Sequence, residues 1–537
     1  MSDLNIFRIK TSVGSLALVA ALGVIVGSAH AAGAGPQSPA QFEPASISVP
    51  VGNKCVLHPE GNADPAQSLT LDADEDGVAR FEALRATQPN SVERLALDCI
   101  DANGDAQTYA VDLKSARRVY DSLPVWLGPD RFDTTVYLIQ QETPFYFLDC
   151  PQLYDRPGLY GEEGVDYPDN HVRFAVLAHA ALEFSRHIFR PDILHGHDWQ
   201  AGLVPVYLQT IYAKDPTFLG MRTLFTVHNL GYQGLFPAAA LAEIGLDDAG
   251  LFRPEGLEFF GRVSYLKGGL SFSDALNTVS PTYAREIQTP EYGFGLDGVL
   301  RSRGNVLTGI LNGVDYTEWN PETDPFIAAH YSTADLSGKG VCKGDLLNEF
   351  GLPWEARDAP LIGIVSRFTS QKGADLIAEI ADDMVGEGFY MVALGTGEPH
   401  YEAVFHGMAA RHPGRISVRI GYDNALAHKI EAGADLFLMP SRYEPCGLNQ
   451  IYSLKYGTVP LVRATGGLDD TIDSETGFKF WEYSSGALLG GLRAAREAFG
   501  DRESWRAMML AGMARDYSWK ASAAEYARLY QRLGRRD

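Results

Sequence analysis

Basic residues are the scarcer charge in this chain: 45 Lys and Arg stand against 68 Asp and Glu, a formal net charge of -23. Nucleic acid and anionic membranes are met by clustered Lys and Arg, so this balance argues against both as partners. A neutral substrate meets no such objection. Cysteine is also sparse. The five, Cys55, Cys99, Cys150, Cys342 and Cys446, form no CxxC pair and no zinc-like Cys/His spacing, so no structural metal is implied. Neither hydrophobic content, 45%, nor charged content, 21%, departs from that of a globular protein, and 537 residues are enough for two or three separate cores.

What the last two thirds of the chain do contain is a series of short apolar runs, each ending in a polar or glycine-rich turn. PDIL leads into His195, TLFTV into His228, ALNTV into Ser280 and TGIL into Asn312. LIGIV leads into Ser366, YMVAL into Gly395, VRI into Gly421, LFLMP into Ser441 and PLVRA into Thr465. Runs of Val, Ile and Leu without polar alternation suit parallel strands buried on both faces. Stretches such as GADLIAEIADDMV and NALAHKIEAG, with apolar residues at helical spacing, lie between them. The expected fold is α/β, two doubly wound domains either side of a linker near residues 320–325. In such sheets ligands collect where strands end and helix N-termini begin.

The densest of these turns is SRFTSQKG, residues 366–373. Arg367 and Lys372 lie five apart at a strand-to-helix turn, a pattern for binding diphosphate, although a solvated basic turn has the same composition. A second glycine turn, Thr465-Gly466-Gly467, precedes another predicted helix and can serve the same phosphates through backbone N–H groups. In EPCGL, Glu444 stands between a strand end and a helix start. It suits either sugar hydroxyls or the helix dipole, and Gly447 allows close backbone approach. Cys446 reads as a small buried residue rather than a nucleophile, since no His is near it in sequence. Tyr422 is either a surface aromatic or a platform for a base.

HGHDWQAGLVPVYL, TVHNLGYQGLF, NTVSPTYAREI, LNGVDYTEWNPETD, GIVSRFTSQKG, IGYDNALAHKIEAGADLFLMPSRYEPCGLNQIYSLKYG and ATGGLDDTI together resemble the bacterial glycogen synthases and plant-type starch synthases. The seven motifs occur in the family's order, from about residue 143 onward. The resemblance implies two Rossmann-like domains of GT-B type with a cleft between them. It also implies retaining transfer of glucose from ADP-glucose to the non-reducing end of an α-1,4-glucan, glycogen or starch, with ADP-glucose as substrate and no cofactor or metal. Carried over by position, it implies that Arg367 and Lys372 meet the ADP phosphates, with Thr465, Gly466 and Gly467 adding backbone donors. Tyr422 would stack on adenine, and Glu444, Cys446 and Gly447 would line the glucose pocket. Asp198 and His228 would approach the glucose from the other domain, with Asn312 near the cleft. His228 is the candidate to contact the glucosyl unit at the transition state; without the resemblance it reads as a core histidine. His195 and Trp199 read as packing residues.

The resemblance does not reach the front of the chain. The family's opening strand and its lysine-glycine-glycine-leucine loop have no counterpart there, and the first strands of the N-terminal domain are expected to be missing. Arg8 and Lys10 precede an apolar run over residues 13–26 and then Ala29-His30-Ala31, the pattern of a secretory signal, although a buried helix has the same composition and a membrane anchor is disfavoured by the glycine and serine in the run. Residues 33–50 read as a linker and residues 46–113 as a small β-rich segment. Residues 72–77, DADEDG, resemble half a calcium loop, but Ala83 stands where the closing Glu belongs, so a polar hairpin turn is expected. Cys55 and Cys99 could pair if this segment is exported. The resulting division is residues 1–32 signal-like, 33–125 linker and β-rich, 126–320 the acceptor-side domain, and 321–537 the nucleotide-sugar domain with a terminal helix. ADP-glucose implies a cytoplasmic protein, whereas the first 32 residues imply export. Three accounts meet that conflict: a cytoplasmic synthase with a divergent front, an impaired fusion, or an exported glucan-binding protein that keeps the fold.

Overall fold

The apolar runs form the strands they predict, and these strands make two parallel sheets. In the computed structural model the described residues are 117–534, apart from 141–143, 157–158, 163–164 and 247–249. The expectations for the signal-like segment, the linker, the β-rich segment, the DADEDG turn and the Cys55–Cys99 pair lie outside the described residues.

The first domain opens with an antiparallel meander of β1 (Arg117–Leu127), β2 (Asp130–Ile139) and β3 (Phe145–Asp149). Buried Leu123, Val125 and Leu127 alternate with half-buried Pro124 and exposed Trp126 in β1, so one face of that strand joins the core, whereas Val136–Ile139 of β2 are buried at every position. The expected boundary at residue 126 therefore falls inside a strand, and this domain begins by Arg117. Helix α1 (Asn170–His187), buried along most of its length, leads to the parallel sheet. Its strands β4 (Ile193–His197), β5 (Arg222–Val227), β6 (Ala275–Thr278) and β7 (Leu307–Gly309) lie side by side in chain order. Short α2 (Pro281–Glu286) follows β6 directly.

The second domain holds β8 (Leu361–Val365), β9 (Tyr390–Gly395), β10 (Ile416–Ile420), β11 (Leu436–Met439), β12 (Val459–Arg463) and β13 (Phe478–Phe480). Their spatial order, β10-β9-β8-β11-β12-β13, reverses direction between β8 and β11, so β8 and β11 flank the switch point where ligands collect. Every residue of β8, β9, β11 and β12 is buried. Successive side chains serve different cores: Leu436 and Leu438 join one cluster, Phe437 and Met439 the other. The predicted helix over GADLIAEIADDMV is instead two short ones, Ala374–Glu379 and Ala381–Gly386, separated at Ile380 by a backbone of φ -100° and ψ 4°. NALAHKIEAG forms one helix, Asn424–Gly433, whose N-cap Asp423 accepts the Leu426 N–H.

The linker is held against the second domain. Trp319 stacks between His428 and Tyr452, at ring separations of 3.7 and 4.1 Å. Buried Asp324 accepts hydrogen bonds from His428 Nδ1 and the Tyr456 hydroxyl. The terminal helix α3 (Trp519–Gly534) recrosses to the first domain, where Leu529 and Tyr530 pack with Ile193, Leu224, Ala275 and Ile310 under its parallel sheet. By packing it belongs to that domain rather than to the one that precedes it in sequence.

Candidate functional site

Arg367 and Lys372 leave the carboxyl end of β8 on a turn tied to the neighbouring strand by Ser366 N–H to Leu394 O and Phe368 N–H to Thr396 O. Gly373 closes the turn at φ 78°, and a Cβ there would lie 2.3 Å from the Pro440 carbonyl, so the turn needs glycine. Pro440 belongs to the segment after β11, which carries Glu444. The two strand ends are thus pressed together, and Lys372 Nζ donates to Glu444 Oε2 at 2.9 Å. Ser441 Oγ donates to the same oxygen at 3.0 Å. The Lys372 and Glu444 side chains are 7% and 4% exposed, so the ion pair is shielded from water and each charge depends on the other. Arg367 donates to Gln371 Oε1 at 3.3 Å. Arg367, Lys372, Ser441, Gly447 and Asn449 line one pocket beside these strand ends.

His228 follows β5 across the cleft, and its loop is fixed from behind. Asp198 Oδ1 accepts the His228 N–H at 2.8 Å. Asp198 itself sits at φ 53°, a left-handed backbone rare for a residue with a side chain. Burial raises its carboxyl to about 7, against lowering hydrogen bonds from the backbone of His228 and Asn229. Burial also drives the His228 imidazole far below its usual range, so that ring is neutral at neutral pH. Tyr443 joins the two walls. Its ring meets Phe294 edge-on at 5.4 Å, and Asn229, Tyr232, Arg367 and Glu444 all act on its hydroxyl, which burial raises to about 12.

Other expected residues fall on the same cleft or its margins. Cys446 is buried against Val279 and Leu311 of the first domain. Asn312 is buried just beyond β7. Tyr422 follows edge strand β10 and packs against the second domain's core.

Two neighbouring motifs meet in a way that changes the reading of the TGG turn. Gly466 N–H donates to both carboxylate oxygens of Glu286, at 3.1 and 3.0 Å, and Thr465 Oγ1 donates to one of them at 2.9 Å. Gly467 N–H is taken by the Glu444 and Pro445 carbonyls. The Gly466 and Gly467 donors expected at the diphosphate are therefore engaged elsewhere, one of them by a carboxylate of the other domain. At the opposite end of α2, Asp470 accepts from Ser280 Oγ at 2.5 Å, Thr282 N–H at 2.9 Å and Thr282 Oγ1 at 2.6 Å. SPTYARE and TGGLDD thus clamp each other across the domain boundary.

Residues 99–302 match the family described as the starch synthase catalytic domain, and residues 354–506 match glycosyl transferases group 1. The chain is 54% identical over 395 residues to a glycogen synthase of Koribacter versatilis (strain Ellin345), covering 72% of this chain and 81% of that one. A glycogen synthase of Anaeromyxobacter dehalogenans (strain 2CP-C) is 52% identical over 398 residues, 73% of this chain and 83% of its own. The chain belongs to the glycogen and starch synthase family. The catalytic domain of starch synthase IV from Arabidopsis thaliana, solved with ADP and acarbose, superposes with a TM-score of 0.70 at 32% identity, covering 78% of this chain and 89% of that domain. The expected GT-B fold and glycosyltransferase function, glycogen or starch synthesis, stand on these likenesses.

In this synthase several cleft residues escaped the motif reading. Arg463, buried at the end of β12, donates to the Arg442 carbonyl at 2.7 Å and reaches Tyr292 of the first domain at 3.1 Å. Glu286 and Asp470 sit inside motifs quoted for the resemblance, but their partners lie 180 to 190 residues away. No local spacing signals such a pair. Among the described residues, no helix is long and apolar enough to cross a membrane.

Proposed function

We propose that this cleft transfers glucose from ADP-glucose to the non-reducing 4-hydroxyl of an α-1,4-glucan, with retained anomeric configuration and without a metal. The observation that carries the donor half is the Lys372–Glu444 pair beside Arg367. A cation suited to phosphate and a carboxylate suited to sugar hydroxyls stand side by side, 2.9 Å apart, so a nucleotide sugar lying across the pair would meet one with its phosphate and the other with its sugar. The ADP bound to the Arabidopsis relative supports an adenosine donor.

Arg367 and Lys372 hold the diphosphate and take up the charge released as the C1–O bond to phosphate breaks. The acceptor oxygen bonds to C1, and its proton passes to the departing phosphate oxygen. Glu444, with Cys446 and Gly447 beside it, holds the donor glucose, and Tyr422 stacks on adenine. His228 faces the glucosyl unit as a neutral ring, which avoids a cation beside developing positive charge. Asp198 serves by holding the His228 loop, Asn312 lines the cleft, and Thr465 and Gly466 brace the domains through Glu286 while Gly467 ties the turn to the Glu444 segment, rather than binding phosphate. Catalysis is mostly alignment and preorganised charge in a closed cleft. Because the donor is a cytoplasmic metabolite, the reading places the protein in the cytoplasm. N-terminal sequencing of the cellular protein checks this: an intact Met1 agrees, and a start at Ala31 or Ala32 opposes it.

Incubating the purified chain with glycogen and labelled ADP-glucose or UDP-glucose tests the donor directly. Incorporation from ADP-glucose above UDP-glucose is expected. Glucan binding without transfer from either donor would instead give the fold a binding role.

A further inference from the structure

A histidine to which the proposed reaction gives no role stands directly behind the one it uses. His197 ends β4 and His228 follows the adjacent strand β5, whose Thr226 is the register partner of His197. His197 Nδ1 lies 3.0 Å from His228 Nε2, with the two rings tilted by 35°. Two neutral imidazoles can share such a bond in only one way: one nitrogen carries the proton and the other accepts it. Burial favours that neutral state in both, lowering His197 to about 4 and His228 well below its usual range.

The ring of His197 is itself held from below. His195, two residues earlier on the same strand face, packs its ring 4.1 Å from that of His197. His195 is fixed at both nitrogens, Nε2 at 2.7 Å from Thr226 Oγ1 and Nδ1 at 2.8 Å from the Tyr530 hydroxyl of α3. Asp198, the next residue after His197, holds the His228 backbone. Backbone and ring of His228 are therefore both anchored by consecutive residues of HGHD. A hydrogen-bonded partner that sets tautomer and ring direction is the usual requirement of a working histidine.

We propose that His197 is a positioning residue for glucosyl transfer, holding the His228 imidazole in one orientation and one tautomer toward the donor sugar. The inference rests on the proposed function for its consequence in rate, but not for the tautomer.

The test uses the full chain with His197→Ala, His197→Asn and His197→Gln. An Asn amide reaches the place of Nδ1, whereas a Gln amide reaches that of Nε2, so only Asn can restore the bond to His228. With His197→Ala, kcat is expected to fall about 10–100-fold while KM for ADP-glucose changes by less than about twofold. His197→Asn should recover most of that loss and His197→Gln little of it. In the 15N-histidine-labelled chain, the His228 ring signals, assigned by their loss in His228→Ala, should show one tautomer in the parent and the Asn variant, and a mixture in the Ala variant. Equal kcat in parent and Ala variant, or equal recovery by Asn and Gln, overturns the positioning role. If no form transfers glucose, the function reading fails by itself. The tautomer signals then decide alone: a mixture only on loss of His197 supports the proposal, and no change overturns it.

Discussion

At the residue scale the site is built from groups whose charge state is set by burial. Asp198 is the clearest case. Its carboxyl is raised from 3.8 to about 7, so the folded protein retains a proton that the unfolded chain releases near pH 4. The contribution to stability is full below pH 4 and is lost as pH rises through 7. An Asn at this position can still accept the His228 N–H but does not titrate. Asp198→Asn should therefore gain stability relative to the parent between pH 4 and 7, read as the difference in denaturant midpoint. A difference constant with pH would show that Asp198 ionises normally. The Lys372–Glu444 pair makes the opposite kind of prediction. Lys372→Met leaves a carboxylate buried with only the Ser441 hydroxyl and should cost about 3–5 kcal/mol in urea unfolding. Adding Glu444→Gln to that variant should restore much of the loss.

At the scale of elements, parts legible in the sequence are those whose cause is local. LIGIV, YMVALG, LFLM and VPLVR read as buried parallel strands because every position in them is covered, leaving no polar face to blur the pattern. The SRFTSQKG turn and the Glu444 segment follow strand ends, as the strand-to-helix rhythm of the sequence predicts. The partner of the TGG turn is not legible for the converse reason: its shape suits phosphate, but the Gly466 N–H meets Glu286, which the fold brings in from 180 residues away. His195 reads as packing because its partner, the Tyr530 hydroxyl, lies 335 residues away. Helix α2 owes its place to both ends, Asp470 at its start and Glu286 at its finish. Glu286→Ala removes an acceptor from charge-assisted bonds and should cost about 1.5–3 kcal/mol in thermal or urea unfolding. An unchanged midpoint would mean that the clamp contributes nothing to holding the domains.

At the scale of the whole molecule, two parallel-sheet domains, the second of them doubly wound, are joined by the linker stacked at Trp319, by the α2 clamp, by the returning helix α3 and by contacts such as Arg463–Tyr292 and Tyr443–Phe294. The joints surround the cleft, so the His228 loop and the Arg367–Lys372 turn face each other on separately built but mutually braced walls. The net charge of -23 is no obstacle to an anionic donor, because the cations that meet it are two specific side chains in a sheltered pocket. The central claim, that this pocket drives glucosyl transfer, is tested most directly by incorporation of labelled glucose from ADP-glucose into glycogen. The parent should incorporate label, and Lys372→Ala and Glu444→Ala, checked for folding, should each lose about 100-fold or more. Incorporation by both variants at the parental rate would contradict the account.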